Sequence, residues 1–148
     1  MRIDGEYIVK APPGKVEELM TSPRAFGECL PGLVDFEERD ERHFKARVKP
    51  RFSFLRGTLA LEFEVLGLER GRMELKILGK GIGSSFEMRT EVRLGKKGSS
   101  TALRLTTDAA FGGLLKPVPE SLLRGAADEL IREILACVER KAGSRADL

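Results

Sequence analysis

Apolar and polar residues alternate along most of the chain, with an early interruption and a lasting change of period near its end. Between Arg2 and Lys10, the residues Ile3, Gly5, Tyr7 and Val9 interleave with Arg2, Asp4 and Glu6. That two-residue period predicts a strand with one buried face. "APPGKVEELM" interrupts it. The prolines suit a helix start, Glu17 and Glu18 suit a first turn, and Val16, Leu19 and Met20 form a short apolar stripe. Ser22 and Pro23 then supply the cap and first position of a second short helix, running to about Cys29 and stopped by Pro31-Gly32.

The middle of the chain reads as successive strands: "LVDFEER", "HFKARVK", "RGTLALEFEVLGLE", "GRMELKILG", "SFEMRTEVRL" and "TALRLTTDAAF". Turn sequences such as "LERGR", "GKGIGS" and "GKKGSS" separate them. One wet face, one apolar face and short turns predict an antiparallel meander. From Pro119 the period lengthens. Leu123, Ala127, Leu130, Ile131, Ile134 and Val138 recur at helical spacing, and Arg140-Lys141 before Gly143 marks the expected end. A sheet with one apolar face must cover it, and this helix is the long element available. The expectation is a single α+β domain over residues 1–148, with a curved sheet of about seven strands wrapped on a long C-terminal helix. Two short helices follow the first strand and close one end.

Composition narrows the class. Hydrophobic residues make up 41% and charged residues 33%, as in a folded globular chain. No apolar run reaches the roughly 18 residues of a membrane-spanning helix, and the N-terminus lacks the apolar core of a signal peptide. The net charge of +3 is spread among acidic neighbours, as in "FEERDERHFKARVK", so no basic stripe for nucleic acid emerges. Asn, Gln and Trp are absent, and loss of thermolabile amides beside abundant charge is a heat-adaptation signature. Two cysteines, Cys29 and Cys137, are too few for a disulfide framework, which predicts a reduced, cytoplasmic protein.

Candidate chemistry is sparse. Cys29, in "FGECLPGL", is a candidate nucleophile or wall residue. It adjoins Glu28 rather than a cation, so nothing nearby favours its thiolate, and the wall reading fits better. His43, the only histidine, falls on the charged side of a strand and reads as a surface residue; with no second histidine, a metal triad is hard to assemble. "GKGIGSS" is followed by strand rather than helix, so it reads as a β-turn and not a phosphate loop. Glu62 and Glu64 lie on an outward face with no apolar pocket to raise their pKa. The inward residues Phe44, Phe54, Phe63, Met73, Phe86, Met88 and Phe111 suit either an ordinary core or a cavity wall, and periodicity leaves both open.

Several stretches together resemble a known family: "GEYIVKAPPGKVEELMTSP", "CLPG", "FKARVKPRFSFLRGTLALEFEV", "GKGIGSS" with "TEVRL", and "TALRLTTDAAFGGLL". The chain resembles the carbon monoxide dehydrogenase G-subunit family, within the START and polyketide-cyclase-like helix-grip superfamily. "CLPG" after the "APP" opening is the most specific element. The resemblance implies a helix-grip fold with an apolar cavity and a non-catalytic accessory role. That role is binding or carrying a quinone- or lipid-like molecule in the recruitment or maturation of a molybdenum carbon monoxide dehydrogenase-type enzyme, with no cofactor of its own. It places the protein in the cytoplasm, at the inner face of the membrane, through a peripheral contact. Longer members carry a C-terminal anchor, whereas "GSRADL" is not apolar, so no stable anchor is expected. The implied ligand wall comprises Phe44, Phe63, Met73, Phe86, Met88 and Thr107 from the strands. Leu123, Ala127 and Leu130 join from the helix and Phe26, Leu30 and Phe111 from the lid, and Thr90 or Thr107 would orient a head group. The alternative within the superfamily is a cyclase- or hydrolase-like enzyme acting on a hydrophobic ring, which would need Glu62, His43 or Cys29 inside the cavity.

Overall fold

The computed structural model describes residues 1–146. Strand β1 (Arg2–Val9) leads through α1 (Pro13–Met20) and α2 (Pro23–Glu28) into β2 (Leu33–Glu38) and β3 (His43–Val48). Four longer elements follow as β4 (Leu59–Glu69), β5 (Arg72–Gly81), β6 (Ser84–Lys97) and β7 (Ser100–Gly113), and helix α3 (Glu120–Ala146) ends the chain. The strands form one antiparallel sheet in the order β1-β7-β6-β5-β4-β3-β2. The expected helix-grip architecture is the one observed.

The local rules account for the short helices. Ser22 accepts a hydrogen bond from the Ala25 amide at 3.3 Å, and proline opens both α1 and α2. The register aligns the inward residues in rows across the sheet. Phe44 faces Phe63, Phe63 faces Ile77, Ile77 faces Met88 and Met88 faces Ala109. The next row runs Ala46, Leu61, Gly79, Phe86, Phe111. Outward residues pair by charge instead, as in Lys45–Glu62 at 3.1 Å and Arg104–Glu6 at 2.6 Å.

Helix α3 lies across the apolar face. Tyr7 on β1 donates a hydrogen bond to Asp128 at 2.9 Å, and the Arg132 guanidinium sits 5.3 Å from the Tyr7 ring centroid. Partial burial and the adjacent Asp128 carboxylate push the phenol up to about 12. The helix does not end before Gly143 as the sequence suggests. Val138 and Ala142 are fully buried in the body, and this packing carries α3 through Gly143 to Ala146. Of the "GSRADL" tail, Asp147 and Leu148 lie outside the described residues. None of the described helices is long and apolar enough to cross a membrane.

The cysteine reading is overturned. Cys29 and Cys137 form a disulfide across 108 residues, with Cα atoms 5.5 Å apart. Cys29 caps α2 and Cys137 lies well along α3, so the fold alone brings them together. The bond is backed by an exposed ion pair, Lys141 to Glu28 at 3.0 Å.

Breaking a bond that closes so long a loop should cost about 2–4 kcal/mol. For a domain of this size that corresponds to a melting temperature lower by roughly 5–15 °C. Calorimetry with and without dithiothreitol measures it, and intact mass before and after reduction counts the thiols. An unchanged melting temperature, or two titratable thiols in the untreated protein, would refute the bond.

Candidate functional site

The sheet face under α3 is divided into a filled half and an open half. In the filled half Phe44 and Phe63 stack at 4.6 Å, and Phe26 of α2 meets them edge-on at 6.2 and 5.8 Å. These rings occupy the space between the two short helices and β2–β4. Phe26, Phe44 and Phe63 are therefore core and do not line an open space, contrary to the expectation for them. Met73 is also outside it, at the opposite end of the sheet with Met20 and Val92. Thr107 and Thr90 are buried but bond to each other, Oγ1 to Oγ1 at 3.0 Å. One hydroxyl donates to the other, and neither threonine lines the cavity.

The open half is a cavity of about 160 Å³. Leu61, Phe86, Met88 and Phe111 form its floor on the sheet. Leu123, Ala127, Leu130 and Ile134 descend from α3 at helical spacing, with Ala126 beside them. Leu30, Pro31 and Gly32 close one side. Of the residues expected at the wall, Leu30, Phe86, Met88, Phe111, Leu123, Ala127 and Leu130 are brought together here.

Two glycines shape this space. Gly32 has a φ of 71° and a Cβ there would overlap the Lys49 carbonyl, while its own carbonyl accepts from the Lys49 amide at 2.8 Å. This contact ties the "CLPG" turn to the end of β3. Gly79 is buried beneath the Phe86 ring, which lies where its Cβ would be. The missing side chain lets Phe86 lie flat on the sheet and leaves the cavity open above it.

The remaining side of the cavity is the loop 49–58, of which the sequence pattern singles out Phe54 alone, as an inward residue. "KPRFSFLRG" alternates like a strand, and its pattern predicts that β4 begins at Arg56. It forms instead an irregular loop whose Phe52, Phe54 and Leu55 cover the cavity, with the two rings stacked at 5.6 Å. The signal against a strand is Pro50, which cannot donate to a ladder. Lys49 and Arg51 supply the ionisable groups of the lining. Arg51 reaches across the opening to α3, pairing with Glu133 and lying 3.6 Å from Glu129.

The groups a catalytic reading would require lie elsewhere. Glu62 points outward to Lys45, and Cys29 is committed to the disulfide. His43 is exposed, 2.9 Å from Asp40 and 3.2 Å from Glu64. Hydrogen bonds to the Asp40 and then the Glu64 carboxylate hold the imidazole above its ordinary value of 6.5. Its stabilising effect is full below that value and fades as pH rises through the raised folded value.

Residues 5–143 match the family described as the carbon monoxide dehydrogenase G subunit (CoxG). No curated protein matches the chain. Among solved structures, a conserved protein from Geobacillus kaustophilus is similar with a TM-score of 0.90 at 19% identity, covering 97% of this chain and 96% of the other. A START superfamily protein from Mycobacterium smegmatis follows at 0.74 and 12% identity, covering 97% of each. The Zhui aromatase/cyclase from Streptomyces sp. R1128 has a TM-score of 0.65 at 17% identity, covering 99% of this chain and 95% of the other. At these identities the likeness is one of fold.

Gly79→Ala should force the Phe86 ring off the sheet into the cavity, a small-to-large insertion costing about 1–3 kcal/mol. Urea unfolding reads the loss, and wild-type stability would show that the ring is not constrained as described. The His43 ring should titrate above 6.5 by NMR, and Asp40→Asn should lower that midpoint. A midpoint at or below the ordinary value would remove the pairing.

Proposed function

Because the chain belongs to the CoxG family, named for the G subunit of carbon monoxide dehydrogenase, we propose that it is a non-catalytic accessory protein. It binds or carries a lipophilic ligand for a molybdenum carbon monoxide dehydrogenase-type enzyme. The observation that carries this reading is the cavity: a partly open space walled by aliphatic and aromatic side chains, with its ionisable lining groups confined to Lys49 and Arg51 on the covering loop.

Size and charge refine the ligand. Apolar cavities of about 150 Å³ accept a benzene-sized guest, and this one is about 160 Å³. A single quinone-like ring or a short alkyl segment fits inside. A longer prenyl or acyl tail would have to displace the loop, whose Phe52 and Phe54 rings are stacked on each other. Each methylene removed from water contributes about 0.8 kcal/mol, so the apolar part supplies affinity. Lys49 and Arg51 supply two cations for a carbonyl, phenolate or carboxylate head at the opening. With Thr90 and Thr107 engaged with each other, orientation of the head falls to these cations.

Release requires the loop to lift. Its link to α3 through Arg51 is an exposed ion pair, and such pairs are worth about 0–1 kcal/mol. Lifting the loop also exposes the half-buried Phe52, Phe54 and Leu55, so this apolar contact, more than the ion pair, sets the cost of opening. We place the protein in the cytoplasm, handing its ligand over at the inner face of the membrane through a peripheral contact. A disulfide inside a cell is characteristic of heat-adapted organisms, and the absence of Asn and Gln supports the same source.

Native mass spectrometry and fluorescence titration with decylubiquinone and with decanoate test the reading. One equivalent of at least one probe should be retained. Ala127→Phe, which fills the cavity from α3, should abolish retention while far-ultraviolet circular dichroism stays native. Failure to retain either probe, or retention undiminished in the filled variant, would count decisively against a cavity-bound cargo.

A further inference from the structure

We propose that the Cys29–Cys137 disulfide is a redox-controlled clasp on the cavity, so that a dithiol reductant sets how fast the cargo leaves. The proposal rests on the carrier reading and adds its regulation.

The position of the bond motivates it. Cys29 is followed directly by Leu30, Pro31 and Gly32, which form one side of the cavity. Cys137 lies one turn beyond Ile134, which lines the cavity from α3, and beyond Glu133, which holds Arg51. The Gly32 carbonyl in turn holds the Lys49 amide, where the covering loop begins. A closed ring of links results, from α3 through the disulfide to the "CLPG" turn, on to Lys49 and the loop, and back to α3 through Arg51. The disulfide is its covalent member. The exposed Lys141–Glu28 pair runs parallel to it, and the Arg51 pair completes the circuit. Without the sulfur bond, the turn and the loop base keep no covalent tie to α3; the apolar packing of Phe26 and Leu30 in the core shared with α3 and the solvent-exposed ion pairs remain.

The bond is chemically approachable from one side. Cys29 is buried, with 4% of its surface exposed, whereas Cys137 is half-buried. A thiolate of the dithiol attacks the Cys137 sulfur, the sulfur–sulfur bond breaks, and Cys29 leaves as a thiolate that takes up a proton. The second thiol of the reductant displaces Cys137 from the mixed disulfide. The protein gains two electrons and two protons, and the reductant becomes a cyclic disulfide. The turn after α2 is then free to separate from α3 and to carry the loop base with it.

Stopped-flow dissociation of anilinonaphthalene sulfonate, a probe that dithiols do not reduce, tests this on the full chain. Measurements are made oxidised and in dithiothreitol, well below melting, and Ala127→Phe defines the signal from outside the cavity. The off-rate should rise on the order of tenfold on reduction and recover on reoxidation, because changes in retention fall mainly on dissociation. Amide hydrogen exchange should accelerate in residues 22–33 and 49–58 and not in β5–β7. Equal off-rates, with exchange unchanged or raised uniformly, would make the bond a structural staple and end the proposal. If the probe binds neither form, the decylubiquinone and decanoate titrations decide the carrier reading, and the exchange map alone decides whether the clasp exists. Cys29→Ser/Cys137→Ser should behave as the reduced protein and ignore dithiothreitol; a response from that variant would assign the effect to the reagent and overturn the clasp.

Discussion

A single helix has to cover one face of a seven-stranded sheet, and most of the structure follows from the mismatch. Six strand spacings amount to roughly 29 Å of sheet width, whereas a helix with its side chains is about 10 Å across. Even with the sheet curled around it, α3 cannot seal both flanks. Part of the gap is closed by α2 and the Phe26, Phe44 and Phe63 rings. Toward the end of the sheet where β3 passes into β4, the covering element is an irregular loop, and the space beneath it stays open. The cavity is what remains of a covering problem solved on one side.

The same geometry separates the chemistry of the two faces. Every other strand residue points to water, where carboxylates and cations alternate closely enough to pair across strands: Arg72 with Glu91 at 2.9 Å, Lys45 with Glu62 at 3.1 Å. Titratable groups are thus engaged outside, and the cavity receives aliphatic and aromatic side chains from both sheet and helix. The result is a cavity with an apolar lining whose ionisable groups are Lys49 and Arg51.

Much of this is legible in the sequence because period reports face. Alternation finds the strands of the meander, and the shift to helical spacing after Pro119 finds α3. Period does not report depth along an element. Phe63 and Phe86 both point inward on neighbouring parts of the sheet, yet one is stacked in core and the other lines the cavity. What divides them is the placement of α2, a tertiary matter. The loop 49–58 misleads because "RFSFL" alternates as a strand does, and only Pro50 argues otherwise. The Cys29–Cys137 bond is out of reach for a different reason. Two cysteines 108 residues apart carry no spacing signal, and only the docking of α3 beside α2 makes them neighbours. Gly143 is a sound stop signal in isolation, overridden by the burial of Ala142 just before it.

The links that hold the cavity shut differ in kind, and that difference bears on how it works. The loop rests on the cavity through the half-buried Phe52, Phe54 and Leu55 and meets α3 through Arg51, which pairs with Glu133 and lies near Glu129. Its base is another matter. The Gly32–Lys49 contact admits no side chain at Gly32, and the turn that carries Gly32 begins at a sulfur covalently bound to the helix. The cover is thus held at its base by a covalent link and a fixed backbone contact, and at its tip by side-chain contacts alone, so base and tip are secured by interactions of different kinds.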